Sequence, residues 1–194
     1  MIWVRFAIFA WLGLPALVDV AALKPGVVLD IRYATADNFT HHKLYPEPLC
    51  LLRPETARRL EQVAGDGVRL KVFDCYRPLS IQRLMWKLVP DSRYVANPAT
   101  GSRHNRGAAV DVTLIGPDGR DLPMGSAYDD FSARTHWGFQ GLTEEERRNR
   151  LRLRQAMTRR GFVSLDTEWW HFDDPDWSKY PVMDVPLAVS PRQD

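Results

Sequence analysis

The sequence has few cysteines, no apolar run long enough to cross a bilayer, and almost no excess of charge. Two cysteines in 194 residues exclude a disulfide-rich scaffold and a four-cysteine zinc site. Lys and Arg number 26 against 24 Asp and Glu, a net charge of +2, whereas a nucleic-acid-binding domain normally carries a larger basic excess on one face. Hydrophobic residues make up 45% and charged residues 26%, which is ordinary globular composition. We therefore expect one compact domain and no nucleic-acid partner, and look for its function among His, Asp, Glu and Arg.

The longest apolar run lies at the N terminus, from Phe6 to Val18. It is shorter than the roughly 20 residues that span a bilayer as a helix. Arg5 precedes it, and small residues follow up to Ala22, a pattern typical of a secretory signal peptide. We expect residues 1–22 to be a signal peptide and 23–194 to be a periplasmic domain with no stable membrane association. The alternative is a buried N-terminal helix in a cytoplasmic protein.

Export would bring Cys50 and Cys75 into an oxidising compartment, where two cysteines can pair. The alternative is two buried thiols that behave as small hydrophobic side chains. The sequence leaves both states open.

The hydrophobic pattern predicts both helices and strands. Helices are predicted over 54–64, from a Ser80 cap to Pro90, and from a Thr143–Glu146 capping box to Arg160. Strands are predicted over 70–73, 108–115, 162–165 and 168–172. This order indicates an α+β domain with a small, mostly antiparallel sheet and helices packed on one side.

Two histidines and one aspartate form the strongest chemical pattern. His104 lies in a polar loop, Asp111 lies in the apolar strand that follows, and His171 follows two tryptophans. A buried, ionised carboxylate costs several kcal/mol unless something compensates its charge. Two His and one Asp are a ligand set that holds Zn²⁺ with a fourth position open to water. The alternative is that Asp111 pairs with Arg103 or Arg106.

Two further residues fit hydrolysis at such a metal. Glu168 precedes His171 by three positions, and a water-activating peptidase needs a carboxylate outside the ligand set to move protons. On a regular strand that spacing places the two side chains on opposite faces, so a bend or bulge is required; otherwise Glu168 is a surface carboxylate. Arg77 follows a buried strand, where it could stabilise negative charge on a carbonyl oxygen or form a salt bridge with Asp74.

These segments resemble the zinc D-alanyl-D-alanine dipeptidases, which include vancomycin-resistance enzymes. Residues 102–111 match the family pattern S-x-H-x-x-G-x-A-x-D, and 168–171 match E-x-W-H. Shorter similarities occur at 33–40, 76–78 and 123–126. The likeness therefore runs from near residue 29 to the last predicted strand.

The resemblance implies a role for each matching residue. One Zn²⁺ would be held by His104, Asp111 and His171, with Glu168 as general base and acid and Arg77 stabilising the transition state. Substrate contacts would fall on Tyr33, Ser102 and Asp129. Asp129 would bind the free ammonium of a dipeptide, unless the adjacent Asp130 serves instead.

The implied reaction is zinc-dependent hydrolysis of D-Ala-D-Ala to two D-Ala, linked to peptidoglycan turnover. One alternative is a D,D-carboxypeptidase or endopeptidase that acts on peptidoglycan stem peptides. Another is a non-enzymatic zinc-binding domain of the hedgehog type, since one fold can serve unrelated functions. The sequence indicates a small dipeptide as partner and carries no pattern that defines an oligomeric state.

Overall fold

The computed structural model describes residues 16–24 and 27–187. The helices are α1 (Pro54–Gly65), α2 (Leu79–Leu88) and α3 (Glu144–Arg159). The strands are β1 (Val18–Asp19), β2 (Val28–Leu29), β3 (Leu51–Leu52), β4 (Leu70–Asp74), β5 (Ala109–Leu114), β6 (Val163–Leu165) and β7 (Glu168–Asp173). None of the helices in these two ranges has the length and apolar character needed to cross a membrane.

Five strands form the main sheet in the order β2-β4-β5-β7-β6. Only the β2–β4 pair is parallel, and the other neighbours are antiparallel. Helix α3 lies against β5, β6 and β7, and α1 packs on α3. The predicted α+β domain with a small, mostly antiparallel sheet is confirmed. The short strands β1, β2 and β3 were not predicted, because two-residue strands have no hydrophobic periodicity to detect.

The helix ends follow local chemistry in two cases and tertiary contacts in the third. Pro54 begins α1, where its fixed φ suits the first turn. The capping box of α3 is confirmed, because Thr143 and Glu146 each accept a hydrogen bond from the other's backbone N–H. Ser80, by contrast, does not cap α2. Its backbone N–H donates to Asp184 Oδ1 at 2.7 Å, so a distant carboxylate stabilises the start of this helix.

The segment before residue 24 packs into the domain. Leu17 and Val20 are buried, Val18 pairs with Leu52 in an antiparallel register, and Val20 N donates to Cys50 O at 2.9 Å. The packed domain therefore begins before the predicted cleavage position after Ala22. Residues 1–15, which hold most of the predicted signal peptide, lie outside the described residues.

Cys50 and Cys75 form a disulfide with their Cα atoms 5.1 Å apart. It joins the residue before β3 to the residue after β4. Tyr76 N donates to Leu51 O at 2.9 Å beside it. The chain is therefore anchored where β4 ends, which is where the functional site begins.

Candidate metal centre

The sheet and one loop bring the two histidines and the aspartate together. Asp111 on β5 is paired directly with His171 on β7, and His104 begins a short 3-10 turn before β5. His104 Nε2 lies 3.1 Å from His171 Nδ1 and 3.3 Å from Asp111 Oδ1, and these last two atoms are 3.0 Å apart. All three side chains are buried. Two nitrogen atoms and one oxygen atom that can each bind a metal ion thus face one point.

The donor chemistry fits a tetrahedral zinc ion. Bonds of roughly 2.0–2.1 Å to zinc place ligand atoms about 3.3 Å apart, close to the distances found here. His104 Nδ1 donates to the Cys75 carbonyl oxygen at 2.7 Å, and His171 Nε2 lies 2.8 Å from Asp173 Oδ1. In a metal-bound site, outer acceptors of this kind would hold each ring proton away from the metal and leave the inner nitrogens to bind it.

The charge state of Asp111 suits a cation. Burial acts to raise the pKa of this carboxyl, but the imidazoles of His104 and His171 outweigh burial and hold the pKa below its usual range. The other oxygen, Oδ2, accepts a hydrogen bond from Tyr128 Oη at 2.9 Å. Asp111 is therefore ionised and oriented toward the two histidines.

The alternative in which Asp111 pairs with a nearby arginine is wrong. Arg103 Nε lies 3.5 Å from Asp173 Oδ2, and the Arg106 guanidinium donates to the Tyr180 carbonyl oxygen. Both arginines therefore have other partners, and the carboxylate of Asp111 contacts the two imidazoles and Tyr128 instead.

Glu168 reaches the same side of the sheet as His171. Leu165 on β6 pairs with Glu168, while the preceding Ser164 pairs with Phe172. The residues between these pairs form an irregularity in β7, as the spacing required. Glu168 Oε2 lies 3.9 Å from His171 Nδ1. Partial burial, with Asp111 nearby, raises the pKa of Glu168 despite the opposing charge of His171, which suits a group that accepts and returns protons near neutral pH.

Arg77 forms a salt bridge and also faces the cleft. Its Nε and Nη2 donate to Asp74 Oδ2 at 3.1 and 2.6 Å, and Nη1 donates to Gln82 Oε1 at 2.9 Å. Its Cζ lies 5.0 Å from the ring centroid of Tyr33. Burial acts to lower the pKa of Arg77, but the carboxylate of Asp74 outweighs it and the pKa is raised well above its usual value. The guanidinium is thus permanently charged and fixed.

Asp129 is a partly buried carboxyl without a cationic partner. Its oxygens lie 3.0 and 3.3 Å from Tyr33 Oη, and its backbone adopts a left-handed φ of 58°. In the part of the chain that the structure describes, no lysine or arginine forms an ion pair with it. Burial, followed by the charge of Asp111, raises its pKa well above the usual value. The neighbouring Asp130 instead accepts a hydrogen bond from Ser132 N at 2.8 Å.

All eight residues singled out from the sequence line one cleft of about 880 Å³. They are Tyr33, Arg77, Ser102, His104, Asp111, Asp129, Glu168 and His171. The structure thus brings together residues that are up to 138 positions apart. Asp111, Glu168 and His171 lie on the adjacent strands β5 and β7, and the other five lie on segments outside the strands.

Sequence reasoning missed two side chains in contact with the triad. Asp173 lies two positions after His171. Because alternate residues of a strand share one face, Asp173 could have been predicted from the sequence. Tyr128, which donates to Asp111, lies next to Asp129 in a loop. No spacing in the sequence marks Tyr128, because a loop has no fixed side-chain period.

An open three-ligand set beside a carboxylate and a fixed arginine defines a metal-dependent peptidase. Residues 15–187 match the family model of the M15 peptidases, described as D-ala-D-ala dipeptidase. The chain belongs to this family, which confirms the resemblance and the prediction of a metallopeptidase.

Two dipeptidases agree with this assignment. The chain is 36% identical over 171 residues to the D-alanyl-D-alanine dipeptidase of Escherichia coli K12, covering 86% of this chain and 89% of that protein. It is 33% identical over 183 residues to the D-alanyl-D-alanine dipeptidase of Enterococcus faecium, covering 80% and 91%. A solved vancomycin-resistance D,D-pentapeptidase in complex with Zn(II) shares 16% identity at a TM-score of 0.41, covering 67% of this chain and 78% of that one.

Proposed function

We propose that this protein hydrolyses the free dipeptide D-Ala-D-Ala to two D-Ala, using one Zn²⁺ held by His104, Asp111 and His171. The observation that carries the proposal is the convergence of three buried donor atoms within 3.3 Å of one another, with Glu168 3.9 Å from one of them. The dipeptidases to which the chain is similar support the choice of substrate.

The substrate amino group is assigned to Asp129. A carboxyl whose pKa is raised by burial gains most from a cation, because an opposite charge favours its ionised form. The free ammonium of a dipeptide supplies that cation, whereas an acylated amine does not. Tyr33 holds the carboxyl through its hydroxyl, and Ser102 lines the cleft beside the His104 turn.

Hydrolysis adds water across the peptide bond, so the carbonyl carbon gains a hydroxyl group and the departing nitrogen gains a proton. A zinc ion held by His104, Asp111 and His171 would supply a water of lowered pKa and Lewis-acid polarisation of the carbonyl. Glu168 accepts the proton of the attacking water and returns it to the leaving amine. Arg77 stabilises the negative charge that develops on the carbonyl oxygen.

The test is release of D-Ala by the zinc-loaded protein, with an N-acylated stem peptide as the competing substrate. Glu168→Ala is expected to retain zinc and lose about 10²–10⁴ in turnover, the usual contribution of a positioned acid–base group. His104→Ala is expected to lose the metal itself. Nearly full turnover in Glu168→Ala would contradict the role of Glu168, and preferred cleavage of the stem peptide would favour a D,D-carboxypeptidase.

We further propose that the protein acts outside the cytoplasm on dipeptide from peptidoglycan turnover. The basic and apolar start of the chain supports export, and a Cys50–Cys75 disulfide suits an oxidising compartment. Because β1 pairs with β3, we place cleavage before Leu17 rather than after Ala22. N-terminal sequencing of protein from its native compartment tests this, and an intact Met1 would contradict it.

A further inference from the structure

His171 is held at both ring nitrogens. Its Nδ1 faces Asp111 Oδ1 at 3.0 Å, and its Nε2 lies 2.8 Å from Asp173 Oδ1. Asp173 is only 5% exposed. It lies two positions after His171 on β7, so its side chain projects from the same face of the strand. A buried carboxylate therefore stands directly behind this histidine.

We propose that Asp173 is a positioning residue that keeps the proton of His171 on Nε2, leaves Nδ1 free for the metal, and thereby sets the metal affinity of the site. This inference rests on the proposed metal site. A carboxylate that accepts the outer N–H of a ligating histidine fixes its ring orientation and raises the basicity of the inner nitrogen.

The two histidines differ in how they are oriented. His104 donates to the backbone carbonyl of Cys75, and the Cys50–Cys75 disulfide ties that residue to the start of β3. The outer nitrogen of His171 contacts a side chain instead. One orienting group is thus part of the anchored backbone, and the other can be removed by a single substitution.

Arg103 forms an ion pair with the second oxygen of Asp173. Its Nε lies 3.5 Å from Asp173 Oδ2, and its guanidinium stacks over Trp177 with Cζ 4.9 Å from the ring centroid. The guanidinium thus lies on the Oδ2 side of the carboxylate, and the imidazole contacts Oδ1. The positive charge of Arg103 also compensates the carboxylate, which would otherwise be buried without a cation.

The adjacent residue provides a matched control. Asp174 is also buried, but it accepts a hydrogen bond from Thr56 Oγ1 at 2.9 Å and lies 3.5 Å from Arg59 Nε. Its Oδ1 accepts a hydrogen bond from Asp176 N at 2.9 Å, so its side chain contacts α1 and the turn after β7 and none of the metal ligands. Replacing Asp174 removes a buried carboxylate from the same strand end and leaves the contacts of His171 in place.

The experiment measures zinc affinity by competition with a chromophoric chelator, and the absorption spectrum of the Co²⁺-substituted protein, without any substrate. Asp173→Ala is expected to weaken zinc binding about 10–100-fold and to change the Co²⁺ spectrum. Asp173→Asn, which retains an acceptor but no charge, is expected to fall between Asp173→Ala and the wild type. Asp174→Asn is expected to bind zinc like the wild type even where it lowers the unfolding temperature.

Wild-type affinity in a folded Asp173→Ala or Asp173→Asn protein would overturn the proposal, as would an equal loss in Asp174→Asn. Failure of the wild type itself to bind one zinc ion would instead overturn the proposed metal site. The two failures are therefore distinguishable.

Discussion

Two series of side-chain contacts lead away from the metal centre, and they differ in the charge of their side chains. On the acidic side, Tyr128 Oη donates to Asp111 and lies 3.4 Å from Tyr33 Oη, which in turn contacts Asp129. Neutral hydroxyl groups connect the metal centre to the carboxyl of Asp129, which forms no ion pair among the residues that the structure describes. The charged Arg77 lies over the ring of Tyr33 on the same side.

On the basic side, His171 leads through Asp173 to Arg103. The side chain of Arg103 is 39% exposed, and both Arg103 and Arg106 stack on Trp177. This side consists of charged side chains that form ion pairs with one another, and it ends at a partly exposed guanidinium.

The difference predicts unequal recognition of the two ends of a dipeptide. A partly buried carboxyl that lacks a cation gains strongly from an ammonium group and leaves a blocked amine without compensation. A solvated guanidinium that is already paired gains little from a carboxylate. The enzyme is therefore expected to select sharply at the amino end of its substrate and loosely at the carboxyl end.

Among the variants and substrates that test this contrast, the largest effect is expected from Arg77 on the acidic side. Arg77→Ala is expected to lower kcat by about 10²–10³, the usual cost of losing a donor to a developing oxyanion, while zinc stays bound. Steady-state kinetics and metal analysis of one sample measure both quantities.

Arg77→Ala also removes the partner of the buried Asp74, so a second variant separates catalysis from folding. Arg77→Lys keeps the charge but loses the planar fork that binds Asp74 and Gln82, and it is expected to recover only part of kcat. Near-normal kcat in a folded Arg77→Ala protein would show that Arg77 is structural only.

How far the fold could be predicted from the sequence depends on whether each feature has a local or a distant cause. The capping box of α3 and the apolar stripe of α1 are local patterns, and the structure has both. The cap of α2 comes from Asp184, and β1 exists because it meets β3. Such contacts join distant parts of the chain, so no window of sequence contains them.

The candidate site divides in the same way. His104 and Asp111 lie within one short segment and Glu168 and His171 within another, so their spacings could be recognised. The sequence also required a bend after Glu168, which the register of β6 and β7 contains. The contacts of Tyr128 and the pairing of Arg103 depend on how loops fold over the sheet, and they could not be predicted.

The second-largest effect is expected at the amino end of the substrate. Asp129→Asn is expected to lower kcat/KM for D-Ala-D-Ala about 10²-fold, because it removes one partner of a desolvated charge pair. N-acetylation of the substrate is expected to lower kcat/KM of the wild type by a similar factor.

The two changes remove the same interaction, so combining them is expected to cost little more than either alone. Asp130→Asn is the matched control, since Asp130 contacts the backbone of Ser132, and it is expected to leave kcat/KM nearly unchanged. A larger loss in Asp130→Asn than in Asp129→Asn would move the ammonium site to Asp130.

The smallest effect is expected at the carboxyl end. Amidation of the substrate carboxylate is expected to lower kcat/KM by at most about fivefold, because an ion pair with an exposed arginine contributes up to about 1 kcal/mol. Raising the salt concentration weakens such a pair further, so the difference between acid and amide is expected to shrink with salt, whereas the effect of N-acetylation is not. If amidation instead costs as much as acetylation and does not depend on salt, the carboxylate is bound in a desolvated site, and the contrast between the two sides of the cleft fails.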